Sequence, residues 1–216
     1  MALSPTLSKI EPLGVRAVDG LFPAGELDAL VRTIAAVPLY FLNHSTQYET
    51  HELYGHWAYP IVNVEPGAAR DVAQELEALD ETLDPIKLAW HRTRKLLPSG
   101  SKTVNAYING YTYGTDGFPH FEVPTPRAGE QRSILIYCCS RWEPAWGGET
   151  IFFDADGDVS AAILPKPGRV LVFRGDVLHV ARAPSRFCPI ERRVLVFKAW
   201  TRGIPQRRSQ GENSKR

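Results

Sequence analysis

His120, Phe121 and Glu122 form a His-x-acid triplet, and none of the other five histidines, at 44, 51, 56, 91 and 179, begins one. In an extended segment residues i and i+2 point to the same face, so this triplet aims an imidazole and a carboxylate at one point. Taken alone it is a weak signal, because with 24 acidic residues roughly one such triplet could arise by chance. Its weight comes from His179, which follows an aliphatic strand pattern (Val170 to Phe173) and a turn at Arg174, Gly175 and Asp176. Two imidazoles and one carboxylate on one face of a metal leave the opposite coordination positions open, an arrangement suited to Fe(II). Arg192 and Arg193 then open a strand that ends at Lys198, Ala199 and Trp200. A guanidinium there can hold a carboxylate by two parallel hydrogen bonds. Adjacent strand residues face opposite sides, so only one of the two arginines can point inward.

These residues need elements that bring them together. Gly14 to Leu21 reads as a lead-in strand, followed by a helix whose apolar face is Leu27, Leu30, Val31 and Ile34. Residues 41–67 lack a clean period and are expected to be loops with one short strand. His44, His51 and His56 fall there, with surface or packing roles favoured over substrate contact. A second helix is expected from Ala68, with Val72, Leu76, Leu79 and Leu83 on one side. A third starts at Asp84 and Pro85, a capping residue followed by the proline suited to a first turn, and runs to about Leu97. Arg92, Arg94 and Lys95 read as its polar face. After Gly100 the chain turns to short Val-, Ile-, Tyr- and Phe-rich segments punctuated by Gly, Pro and Asp. Strands are expected over Thr103 to Tyr113, Ser133 to Cys139, Glu149 to Phe153, Ala161 to Leu164, Arg169 to Phe173 and Arg193 to Trp200.

Helices first and strands after predict an α+β chain, mainly β, built on a jelly roll with supporting N-terminal helices. The 216 residues, 44% hydrophobic and 23% charged, fit one folded domain over 1–205, with a polar tail at 206–216 expected to be disordered. A net charge of +1 does not steer the chain toward nucleic acid or an anionic membrane. No apolar run reaches bilayer length, and the first residues lack a secretory h-region. Three cysteines cannot build a disulfide framework, and Cys188 reads as a packed thiol, so a soluble protein of a reducing cytoplasm is expected. Arg127, after Glu122, reads as a solvated charge.

About 100 residues, from Val104 to Trp200, resemble the 2-oxoglutarate- and Fe(II)-dependent oxygenases, in the branch related to prolyl 4-hydroxylases. Four stretches carry the likeness in order. They are the Tyr- and Gly-rich run Tyr111 to His120; Leu135 to Trp142 followed by Gly147, Gly148, Glu149 and Thr150; Leu164 to Phe173, with its Pro, Gly and Arg; and Arg192 to Trp200. The resemblance implies a double-stranded β-helix that uses Fe(II), 2-oxoglutarate and O2 to oxidise, most simply hydroxylate, a small-molecule metabolite or natural-product intermediate, releasing succinate and CO2. It implies His120, Glu122 and His179 as iron ligands. It implies Arg192, with Arg193 as the alternative, for the distal carboxylate of 2-oxoglutarate, and Tyr137 as that carboxylate's second partner. Tyr107 and Asn105 are further candidates to reach the cosubstrate. The prolyl hydroxylase branch usually carries Asp where this chain has Glu122. A Gly or Ala there would instead point to halogenation. A protein prolyl hydroxylase and a non-catalytic ligand-binding jelly roll are the alternative readings.

Overall fold

A computed structural model describes residues 6–10, 13–42, 55–62, 70–122 and 127–203. His44, His51 and the tail at 206–216 lie outside them. The strands are β1 (Thr6–Ile10), β2 (Val15–Asp19), β3 (Tyr40–Leu42), β4 (His56–Pro60), β5 (Lys102–Tyr111), β6 (Gln131–Tyr137), β7 (Thr150–Phe153), β8 (Val159–Ile163), β9 (Val170–Arg174), β10 (His179–Ala181) and β11 (Arg192–Trp200). The helices are α1 (Ala24–Ala36), α2 (Ala73–Glu77) and α3 (Asp84–Thr93). Eight strands form one antiparallel sheet in the order β1-β2-β9-β6-β11-β5-β4-β3, and β10-β7-β8 form a second. This is the jelly roll that the strand run predicts.

Two apolar cores lie on the two faces of the large sheet. One packs Ile108, Ile136, Val172, Leu195 and Phe197 against Leu30 and Ile34 of α1 and Ile86 and Trp90 of α3. The other fills the space between the sheets with Leu135, Leu171, Val194 and Val196 facing Phe152 and Ile163. The alternation along β11 divides its residues between these cores, as the two-residue strand period requires. The helices are tied down by polar contacts as well. Arg92 pairs with Glu26 across α1 and α3 through two hydrogen bonds of 2.5 Å, and the Trp90 indole donates to Thr103 Oγ1 at 3.0 Å.

Three expectations change in detail. Residues 41–67 contribute two paired strands, β3 and β4, rather than one, and His56 is a buried residue of β4. The second helix is only five residues long, and a 3-10 turn at Glu81–Leu83, capped by Asp80, covers the rest of that apolar run. Arg127 is not simply solvated: it pairs with Glu130 and donates to the Arg202 carbonyl.

Arg169 joins the start of β9 to the end of β2 by a bidentate pair with Asp19, at 2.7 and 2.8 Å. That guanidinium fork holds the Asp19 carboxyl below its ordinary range, against a smaller opposing effect of burial. Because the folded-state pKa lies below the unfolded one, the pair stabilises the protein above the unfolded value near 4 and loses that effect as pH falls through the folded value. With Asp19 about a third exposed, Asp19→Asn should cost about 1 kcal/mol at pH 7. In urea unfolding followed from pH 7 down to about 3, the wild-type advantage should shrink toward the acid end.

Candidate active site

The inner core is polar at both ends and apolar in the middle. At one end stand His120, Glu122 and His179, whose ligand atoms all lie within 4.8 Å of one another. His120 and His179 are held together by the backbone. The His120 amide donates to the His179 carbonyl at 3.0 Å and the His179 amide donates back at 3.2 Å, so a two-residue bridge sets the rings 4.5 Å apart. The Glu122 amide donates to the Gly175 carbonyl at 3.0 Å, which anchors the second half of the triplet to the turn before His179. Gly117 seats the same loop on β10 by donating to the Ala181 carbonyl, and a Cβ at Gly117 would meet that oxygen at 2.7 Å.

Both imidazoles place Nδ1 against a backbone carbonyl, His120 at 2.7 Å from Phe118 O and His179 at 2.9 Å from Val177 O. A carbonyl only accepts, so the proton sits on Nδ1 and the Nε2 lone pairs stay available for a metal. His179 packs against Phe152 and Phe173, and burial holds its pKa down at about 4. It is therefore a neutral ligand at physiological pH. Burial would raise the Glu122 carboxyl, but Lys198 and the two imidazoles outweigh it and hold the group well below the carboxylate range. The donor set, two imidazoles and one ionised carboxylate, fits a divalent metal. His120 is the half-exposed member and marks the side of the cluster that opens to solvent.

Lys198 and Ser133 surround the carboxylate, and the sequence reading overlooked both. Ser133 Oγ donates to Glu122 Oε1, the Lys198 ammonium contacts the same oxygen, and Lys198 donates to Ser133 Oγ at 2.9 Å. A signal was present: a lysine among Val194, Val196, Phe197 and Ala199, at even spacing from Arg192, is out of place on a buried strand unless something pairs with it.

Arg192 stands at the other end of this inner core and is 1% exposed. Its Nε donates to the Gly148 carbonyl at 2.7 Å and its Nη2 to Thr150 Oγ1 at 2.9 Å. The guanidinium lies 5.0 Å from the Tyr111 ring and 5.2 Å from the Tyr137 ring. No carboxylate pairs with it among the described residues, and Nη1 has no hydrogen-bond partner. A buried guanidinium left with an open donor is a ready carboxylate acceptor site. Tyr137 is fully buried beside it, sharing a 2.7 Å hydrogen bond with Thr150 Oγ1. Behind them His56 stacks on Tyr111 with ring centroids 5.3 Å apart. Gly148 shapes this end: its φ is +77°, and a Cβ would meet the Trp142 ring at 3.0 Å and Arg192 Cδ at 3.2 Å. Gly148 is thus a place where the chain passes close to the arginine.

Arg193 is placed elsewhere. It turns outward, pairs with Glu191, and donates to the carbonyls of Ile34 and Val37 at the end of α1. Tyr107 faces the chamber near the metal end, its ring 6.0 Å from the Lys198 ammonium, and burial followed by the Glu122 charge pushes its phenol well above the ordinary value. Asn105 pairs in register with Lys198 and is not brought to the cluster by any recorded side-chain contact. The thiols of Cys138 and Cys139 are buried and pushed up to about 12, which leaves them as protonated packing groups.

Residues 104–202 match the sequence model of the 2OG-Fe(II) oxygenase superfamily. That stretch, from β5 to the end of β11, contains every candidate site residue and is similar to this superfamily. Solved structures share the architecture. One is a prolyl hydroxylase from Trichoplax adhaerens in complex with a hypoxia inducible factor peptide, with TM-score 0.63, 12% identity, and 89% of this chain and 86% of that one covered. Another is a prolyl-4-hydroxylase from Pseudomonas putida, with TM-score 0.54, 24% identity and 90% and 96% covered. A third is HygX from Streptomyces hygroscopicus, with nickel, 2-oxoglutarate and hygromycin B bound, with TM-score 0.55, 14% identity and 89% and 85% covered. No curated protein matches the chain in sequence.

The two neighbouring arginines should separate by experiment. Arg193→Met removes charged donors from the α1 carboxyl end and should lower unfolding free energy by about 1–3 kcal/mol. It should leave the affinity for 2-oxoglutarate, measured anaerobically with metal present, within about twofold of wild type, because its side chain lies on the helix face of the sheet.

Proposed function

We propose that this chain is a 2-oxoglutarate-dependent dioxygenase that hydroxylates a small-molecule metabolite or natural-product intermediate, with His120, Glu122 and His179 holding Fe(II). The observation that carries the reading is the two-ended chamber. A His/Glu/His cluster stands at one end and a fully buried arginine with an open donor at the other. On β6, Ser133 beside the cluster and Tyr137 beside Arg192 are four residues apart, about 13 Å at the usual strand rise. That span suits a five-carbon dicarboxylate reaching from the metal to the guanidinium.

Fe(II) held by these residues would activate O2, the oxidant, with one oxygen atom going to 2-oxoglutarate as it becomes succinate and CO2 and the other to the substrate. The chain's own residues do the rest. The Nδ1–carbonyl hydrogen bonds fix both imidazoles, so coordination does not depend on ordering them at the moment of binding. Arg192 donates from Nη1 to the distal carboxylate, and Tyr137 stands close enough to add its hydroxyl. Leu135, Leu171, Val194 and Val196 line the space between the two ends and keep water from the cosubstrate. Substrate enters on the half-exposed His120 side, where Phe118 and Phe121 are exposed. The near-neutral charge supports a small uncharged or zwitterionic substrate over a polyanion. HygX, which shares this architecture, is itself captured with hygromycin B bound. The architecture shared with prolyl hydroxylases supports a second reading, a peptidyl proline substrate.

Anaerobic titration with Fe(II) and 2-oxoglutarate tests the site. Glu122→Ala or His179→Ala should abolish metal binding, and Arg192→Met should raise the 2-oxoglutarate Kd at least about 30-fold. Metal and cosubstrate affinities unchanged in these variants would overturn the assignment. Under air, succinate release above the uncoupled rate should appear with free small molecules. A response confined to proline-containing peptides would favour the second reading.

A further inference from the structure

Building on the metal site proposed above, we infer that Lys198, together with Ser133, is a positioning residue that fixes the stance of the Glu122 carboxylate toward the metal. The argument starts from β11. Its chamber-facing residues are Arg192, Val194, Val196 and Lys198, so the strand carries one cation at each end of an apolar wall. The two cations are used differently. Arg192 has an open donor and no carboxylate partner, whereas Lys198, 8% exposed, is bound to Glu122 Oε1 and to Ser133 Oγ, which itself donates to the same oxygen. Ser133 and Lys198 are cross-strand partners in the β6–β11 register, so the backbone ladder, not a flexible loop, holds the two donors in place.

Glutamate has one more rotatable bond than aspartate, and an unheld carboxylate would sample several settings about it. Two donors on Oε1 select one setting. Oε2 receives no hydrogen bond from the described residues, so the carboxylate offers an oxygen that no protein donor occupies. His179 Nε2 lies 3.6 Å from Oε1, which places the held carboxylate against the second imidazole ligand. The same clamp gives a physical reason for glutamate at 122. The carboxylate must extend far enough from its backbone position, hydrogen-bonded to Gly175, to reach two donors rooted on the large sheet.

The probes are Mn(II), whose free ion is counted by electron paramagnetic resonance, and Co(II), whose visible spectrum reports coordination geometry. Lys198→Met keeps side-chain length and removes the donor. It should weaken Mn(II) binding about 10- to 100-fold and alter the Co(II) spectrum. Lys198→Arg should recover part of the affinity. Ser133→Ala should shift both readouts in the same direction but less. Glu122→Asp should also bind Mn(II) more weakly than wild type, since its shorter arm cannot reach the clamp. If Lys198→Met folds and keeps wild-type Mn(II) affinity and Co(II) spectrum, Lys198 merely neutralises a buried charge and the inference falls. If Lys198→Met does not fold, Ser133→Ala decides, because it leaves the ion pair intact; an unchanged spectrum there overturns the clamp. Failure of the wild-type protein to bind Mn(II) or Fe(II) would sink the metal centre itself, which separates that failure from loss of the clamp alone.

Discussion

Strand β11 is buried on both faces, and its two-residue period is the constraint on which the molecule depends. It pairs with β5 on one side and, from Val194 on, with β6 on the other, so its backbone is committed to ladders on both sides. Leu195, Phe197 and Ala199 then have to meet the helices, and Arg192, Val194, Val196 and Lys198 have to meet the second sheet. A slip of one residue would exchange the two sets and drive an arginine and a lysine into the helix-facing core. The register of the central strand therefore decides both the fold and the site.

Placing charges inside an apolar chamber is costly unless each is paired or hydrogen-bonded. The two ends resolve this in different ways. At the metal end the pairing is internal: a carboxylate, an ammonium and a hydroxyl close on one another, and burial keeps His179 neutral. At the arginine end it is incomplete, with a carbonyl and a threonine hydroxyl taking two donors, two aromatic faces flanking the guanidinium and one donor left over. A protein seeking only stability has little reason to bury such a group, since an apolar side chain of similar volume would cost less. On the function proposed above, the unmatched charge would discriminate: a carboxylate completes it, and a neutral molecule of the same shape leaves it unsatisfied.

Two of the three proposed metal ligands, His120 and Glu122, lie outside the named strands, yet their positions are not loose. His120 is bridged to His179, Glu122 is bound to Gly175, and Gly117 sits against Ala181. The ligands therefore inherit the rigidity of β10 and the turn before it. The helices contribute from the opposite face: Trp90 and the Arg92–Glu26 pair hold α1 and α3 against β5 and β11.

Much was legible in the sequence because it is written in local periods. Alternation placed the strands of the second half, and the i, i+2 spacing put His120 and Glu122 on one face. The alternation rule also required that Arg192 and Arg193 part. What the residues alone left open was which arginine turns inward, and only tertiary structure decided it. The end of α1 lies on the outer face of β11, and its unpaired carbonyls claim Arg193. Lys198 and Ser133 escaped notice because their meaning is a cross-strand contact with a loop residue eleven positions before Ser133, and no period within either segment encodes it. His56 reads as a loop residue in sequence because β3 and β4 are short and owe their existence to pairing, β4 with β5 and β3 with β4. Local sequence determines which face a residue shares with its neighbours in the chain. The fold decides which distant group stands across from that face, because only there do burial and charge have to be balanced together.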